Sequence, residues 1–92
     1  MTKSEIQDAL GALAGWETAD NALHRQFVLR DFVAAMGFVM SIALLAERAG
    51  HHPDLLIRWN RVDVTLSTHD EGGVTQKDVA LAREIGALAG SA

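Results

Sequence analysis

Between Glu47 and Asp78 the chain runs E-R-A-G-H-H-P-D-L-L-I-R-W-N-R-V-D-V-T-L-S-T-H-D-E-G-G-V-T-Q-K-D. The stretch gathers three of the four histidines, the only proline and one of the two tryptophans, with a carboxylate at each end. Imidazole gives and takes protons near neutral pH, which makes His51, His52 and His69 candidates for acid–base chemistry. Pro53 fixes its own φ and pushes His52 away from helical angles, so both neighbouring rings sit on extended backbone. Successive side chains on such backbone point in different directions, which gives the two rings different tasks. A bare H-H-P tripeptide reads equally well as a surface turn, and His69 changes that balance. It lies at the end of a strand whose partner begins just after Pro53. A tight turn at Asn60-Arg61 brings the two strand ends together and sets His69 beside His51 and His52. Glu47, at the end of the preceding helix, reaches the same point.

Three imidazoles and a carboxylate would also suit zinc. The helical i, i+4 histidine pair and the H-x-H strand spacing are both absent, so metal ranks behind proton transfer and no metal ligand is assigned. Asp78 has a structural explanation at hand as the third residue of a capping box. Trp59 reads as a core aromatic or as a wall against which a flat heterocycle lies. His24 stands alone in another strand and receives no role.

The elements that must position these residues follow from periodicity. Residues 4–14 form a helix, with Ser4 and Gln7 at capping-box spacing and Ile6, Leu10 and Leu13 as its apolar face; Gly15 closes it. Residues 16–29 form a hairpin turning at T-A-D-N-A, 18–22. Asp31 caps a helix that runs to about Ala49, apolar nearly all round, stopped by Gly50 and suited to core plus a subunit interface. Residues 54–59 and 62–68 form two strands. In the second, Val62, Val64, Leu66 and Thr68 face helices while Asp63, Thr65, Ser67 and His69 face the other way. Residues 70–73 are a loop. Val74, Thr75, Asp78 and Val79 then open a last helix as staple and capping box, with Val79, Ala82, Ile85 and Ala89 buried. The order α-β-β-α-β-β-α suits an α+β fold, a four-stranded antiparallel sheet with three helices on one face.

Ninety-two residues, 49% hydrophobic and 22% charged, allow one globular domain, residues 1–92. With no cysteine, no disulfide, thiolate nucleophile or cysteine-held zinc is available, and oligomerisation is the expected source of extra burial. A net charge of -4 without a basic stripe disfavours nucleic acid. The N-terminus lacks a signal-peptide pattern, and the run 32–46, broken by Gly37 and Ser41, is short for a membrane span. A cytoplasmic protein without membrane association is expected.

Taken together, these residues resemble the pterin-4a-carbinolamine dehydratases. Their pattern is an acidic residue, three residues, H-H-P, five or six residues, an aromatic, nine residues, a histidine, and an aspartate eight or more further on. Here it reads Glu47, His51-His52-Pro53, Trp59, His69 and Asp78 at those spacings, with T-L-S-T-H at 65–69 and F-V-L-R-D-F at 27–32 also similar. The resemblance spans roughly residues 16–88. Gly50 departs where Asp or Asn often precedes the histidines, and Leu55 departs where tryptophan often follows the proline. The first bears on a supporting hydrogen bond, the second on a stacking or interface contact.

The resemblance implies the same fold and the dehydration of a 4a-hydroxytetrahydropterin to the quinonoid dihydropterin, without a cofactor. The implied setting is recycling of the pterin that aromatic amino-acid hydroxylases use. It casts His51 and His69 as acids at the hydroxyl, and His52 as pterin-binding residue and base. Glu47, Pro53, Trp59, Ser67, Thr68 and Asp78 would bind the substrate. It also implies a homodimer or homotetramer. The alternative is a non-enzymatic binding or assembly module on the same fold.

Overall fold

A computed structural model describes residues 1–91. Helix α1 spans Lys3–Leu10, strands β1 and β2 span Glu17–Ala19 and Ala22–Val28, and helix α2 spans Phe32–Ala49. Strands β3 and β4 follow at Asp54–Arg58 and Arg61–Leu66, then a 3₁₀ turn at His69–Glu71 and helix α3 at Gln76–Ser91. The strands form one antiparallel sheet in the order β1-β2-β4-β3, so the expected α+β architecture and element order hold. β4 is central because its inward residues are the most completely apolar: Val62, Val64 and Leu66 have no exposed surface. They meet Ile42 of α2 and Ala82 and Ile85 of α3 in the core. Helix α1 joins that core at its edge, through Ile6, Ala9 and Leu10.

Several boundaries differ from expectation, each for a local reason. Helix α1 is capped by Thr2 and Glu5, which bond each other's backbone reciprocally, and not by Ser4 and Gln7. It stops at Leu10, after which two short turns carry the buried Leu13 inward. The first hairpin turns on Asp20-Asn21, both with left-handed backbone (φ 52° and 60°), the geometry that matches strand twist. The second turns on Trp59-Asn60, one residue earlier than expected. Asn60 fixes it by donating from its side chain to the Leu29 carbonyl at 3.0 Å. β4 ends at Leu66, because Thr68 and Gly73 exchange backbone hydrogen bonds and close a small loop around the 3₁₀ turn.

Helix α2 buries Ala35, Phe38, Ile42 and Ala46, while Phe32, Met36 and Ala43 face outward, so only part of its apolar girth is used in the core. At 1.5 Å per residue its 18 residues reach about 27 Å, so length alone does not set it apart from a membrane span. What identifies it as a core helix is its packing on the sheet and on α3. It starts at Asp31, whose side chain accepts the Ala34 N–H at 2.8 Å. That bond holds the Asp31 carboxyl below the usual carboxylate range, as the Thr2 N–H does for Glu5. A lowered folded-state pKa stabilises the fold above the unfolded value, near pH 4, and the stabilisation fades as pH falls through the folded value. Thermal melts should therefore show Asp31→Ala furthest below the unmodified chain at neutral pH, with the gap narrowing below about pH 4. A gap that does not change with pH would remove the carboxylate from the cap.

Candidate active site

The end of α2 sets the direction of the site. Gly50 adopts left-handed backbone (φ 63°), its N–H bonds the Glu47 carbonyl, and the His51 N–H reaches back to the Ala46 carbonyl at 3.2 Å. These two bonds are a Schellman cap, which aims the chain at a fixed angle off the helix axis. Gly50 thus keeps the one backbone conformation that Asp and Asn also tolerate, so its departure from family usage leaves the turn intact. Pro53 then leads into β3.

His51 points inward. Its Nε2–H donates to Asp78 Oδ1 at 2.5 Å, and only 12% of its side chain is exposed. Asp78 is fully buried, and its other oxygen accepts the Thr68 hydroxyl at 2.8 Å and the Thr75 N–H at 2.9 Å. Because the Thr68 proton is committed to Asp78, the 2.7 Å contact between the threonine hydroxyls has Thr75 donating to Thr68. Every proton in this network therefore has an assigned direction. With Nε2 committed to the carboxylate, Nδ1 is the His51 nitrogen left for chemistry.

His52 faces water instead, and its Nε2–H donates to Glu47 Oε1 at 2.6 Å. His69 opens the 3₁₀ turn and is exposed. His51, His52 and His69 line a single open cleft of about 310 Å³, with Ser67 and Thr68 on its wall. Thus the β3–β4 hairpin brings the strand ends together as its pairing requires, and the three imidazoles share one cleft.

Other expected residues fall elsewhere. Trp59 is at the far tip of the hairpin, 69% exposed, with left-handed backbone (φ 53°). The five residues of β3 separate it from the cleft, roughly 15 Å at strand rise, so it is no wall of this cleft. Pro53 shapes the chain without lining the cleft, and Glu47 acts at its margin through His52. Thr68 spends its N–H and carbonyl on Gly73 and its hydroxyl on Asp78, leaving Ser67 as the freer polar group on that wall. Asp78 has no surface to offer a ligand and stands behind His51. Capping alone accounts for one of its three bonds. Two cleft residues escaped the sequence reading, Asp70 and Lys77. Their signal was adjacency, since each neighbours an assigned residue, His69 and Asp78. His24, given no role, bonds Thr65 across the sheet at 3.2 Å.

Among the described residues no group of three or more histidine, aspartate or glutamate side chains is arranged to hold a metal ion. Two of the three imidazoles turn their Nε2 atoms to different carboxylates, so the rings share no focus.

The family model described as pterin 4 alpha carbinolamine dehydratase matches residues 1–88. The chain belongs to the pterin-4a-carbinolamine dehydratase family. A relative from Roseiflexus sp. (strain RS-1), named as a candidate pterin-4-alpha-carbinolamine dehydratase, is 48% identical over 92% of this chain and 91% of its own. One from Brucella ovis, named likewise, is 48% identical over 98% of this chain and 95% of its own. A crystal structure of a transcriptional coactivator/pterin dehydratase from Brucella melitensis superposes with a TM-score of 0.93 at 47% identity, covering 97% of each chain. A pterin dehydratase-like protein described as a RuBisCO assembly factor in the alpha-carboxysome shares the fold, with a TM-score of 0.68 at 24% identity over 84% of this chain and 89% of its own.

Within this family site, the buried carboxylate is the most vulnerable atom group. Asp78→Ala leaves three donors without their acceptor, and breaking such a buried network costs about 3 kcal/mol, against about 1 kcal/mol for a lost cap. Urea denaturation should show the larger figure. A loss near the smaller one would reduce Asp78 to a cap.

Proposed function

We propose that this chain dehydrates a 4a-hydroxytetrahydropterin to the quinonoid dihydropterin. The observation that carries the reading is the oriented His51, held by buried Asp78, in one cleft with His52 and His69. In the reaction the ring nitrogen beside the carbinol carbon supplies an electron pair as the C–O bond breaks. The oxygen departs as water only if it gains a proton, and the ring loses an N–H proton to reach the neutral product. One group must therefore give a proton and another must take one, at positions set by a rigid bicyclic ring.

His51 suits delivery to the hydroxyl, because a ring whose orientation is fixed by a carboxylate presents its free Nδ1 at a constant place. His69, which lines the same cleft, suits the same oxygen. His52, tied to Glu47 in water, suits removal of the ring proton and its passage to solvent. Ser67 is placed for a polar edge of the pterin. Asp78 acts through His51 as a positioning residue. No metal or organic cofactor is required by these steps, and a shallow cleft suffices because the chemistry is proton transfer on one small substrate.

The test is stopped-flow decay of 4a-hydroxytetrahydropterin generated in place. The unmodified chain should accelerate the decay, and His51→Ala or His69→Ala should each lose on the order of 10²–10⁴-fold if each transfers a proton. Folded protein that leaves the spontaneous rate unchanged would end the dehydratase reading.

A second reading concerns assembly, and α2 favours it. Phe32, Met36, Met40 and Leu44 recur at every fourth residue and form one exposed apolar ridge, with Val33 beside it, each between 41% and 77% exposed. Ridges of that spacing interdigitate with a copy of themselves across a two-fold axis. We therefore assign this ridge to a homodimer or homotetramer contact, which leaves room for a binding or assembly role beside catalysis. Light scattering should find an oligomer that Met40→Glu converts toward monomer. An unmodified chain that is monomeric at tens of micromolar would remove the assignment.

A further inference from the structure

Away from the cleft, between α3 and the segment that leads from α1 to β1, lies a small hollow of about 170 Å³. Its lining includes Trp16, Arg25, Arg83 and Gly86. Arg25 occupies an inward position of β2, between Leu23 and Phe27, where a core residue would be ordinary. Its guanidinium is held in place on three sides. It lies 4.3 Å above the Phe27 ring centre, and it donates to the Ala14 carbonyl at 2.9 Å. It also packs so closely on the Gly15 backbone that a Cβ there would sit 2.7 Å from its Nε. Gly15, with φ 86°, is required on both counts.

This charge has no counter-ion: among the described residues no carboxylate lies within ion-pair distance of Arg25 or Arg83. Beside it, Trp16 is 6% exposed and its indole N–H is buried without an acceptor. The two sets of donors converge at Gly86. An atom at the position of a Gly86 Cβ would lie 3.4 Å from an Arg25 terminal nitrogen and 3.7 Å from Trp16 Nε1. An unmet buried donor such as the Trp16 N–H costs free energy, and the half-buried Arg25 guanidinium beside it lacks an ionic partner among the described residues. Both deficits are met by the same partner, a planar group with two acceptor oxygens and a negative charge. A guanidinium fork recognises that group through paired N–H donors.

We propose that this hollow binds the carboxylate of a small molecule, with Arg25 pairing its oxygens, the Trp16 N–H donating to one of them, and Arg83 closing over the charge. The site is separate from the histidine cleft and does not depend on the dehydratase reading. Gly86 supplies the space.

The two tryptophans make the test internal. In the full-length protein, indole N–H resonances of Trp16 and Trp59 are followed by NMR while sodium acetate or formate replaces chloride at constant ionic strength. Trp16 should shift saturably, half-saturating on the order of 10 mM or below, while exposed Trp59 stays still. Gly86→Ala, which fills the space and favours the helix, should weaken binding about tenfold or more. Arg25→Gln should abolish saturation while the Trp59 resonance keeps its folded position. A Trp16 shift that follows ionic strength alone, or one that survives in both variants, would overturn the site. Saturation by inorganic phosphate without saturation by acetate or formate would overturn the carboxylate assignment.

Discussion

One buried carboxylate decides how the parts of this chain meet. Asp78 accepts hydrogen bonds from His51, which emerges from the end of α2, from Thr68, which follows β4, and from the backbone N–H of Thr75 at the start of α3. A charge with no exposed surface is tolerable only when its lone pairs are occupied, and here the three donors come from three different elements. Moving any of those elements strands a charge in the interior. The site is thereby built into the requirement for folding, and the imidazole inherits its orientation from that requirement.

The same dipeptide is used for two opposite purposes. His51 has its Nε2 buried against Asp78, whereas His52, one residue on, meets Glu47 in water. Extended backbone after the Schellman turn produces this split, because it sends successive side chains to opposite sides. A fixed ring and a solvated ring are what a reaction needs when one proton must be delivered to a defined atom and another handed to bulk water. His69 completes the arrangement from a 3₁₀ turn that Thr68 and Gly73 close. That turn answers to the network too, since Thr68 is one of its members.

Where local rules act alone, the sequence is legible. Asp31 and Gly50 bound α2 as capping chemistry requires, the alternation of Val62, Val64 and Leu66 identifies the buried face of β4, and Val74 with Val79 marks the start of α3. The pairing of two strands about a short turn was enough to bring His69 toward His51 and His52. What was not legible depends on choices between near-equal local options or on long-range partners. Thr2-Glu5 and Ser4-Gln7 are both capping boxes by spacing, and the first is the one formed. Trp59 has the spacing of a site residue, yet the five residues of β3 carry it to the hairpin tip, at the opposite end of the strand from the histidines. Asp78 looked complete as a cap because its bonds to His51 and Thr68 join residues 27 and 10 positions apart. No periodicity carries that information.

Helix α2 links the two proposed activities physically. Its inner face fills the core, its outer ridge of Phe32, Met36, Met40 and Leu44 is uncovered, and its last turn carries Glu47 and launches His51. Burying that ridge against a second copy removes apolar surface from water along the length of the helix, at roughly 25 cal/mol per Å². The gain falls on the element whose end defines the angle of the histidine turn. Fraying of that end would move Glu47 and His51 together, since the Schellman bonds tie both to the same final turn. In the proposed assembly, contact through α2 would stiffen the turn that carries His51 without supplying any residue to the cleft, so a small chain would draw rigidity at its site from association.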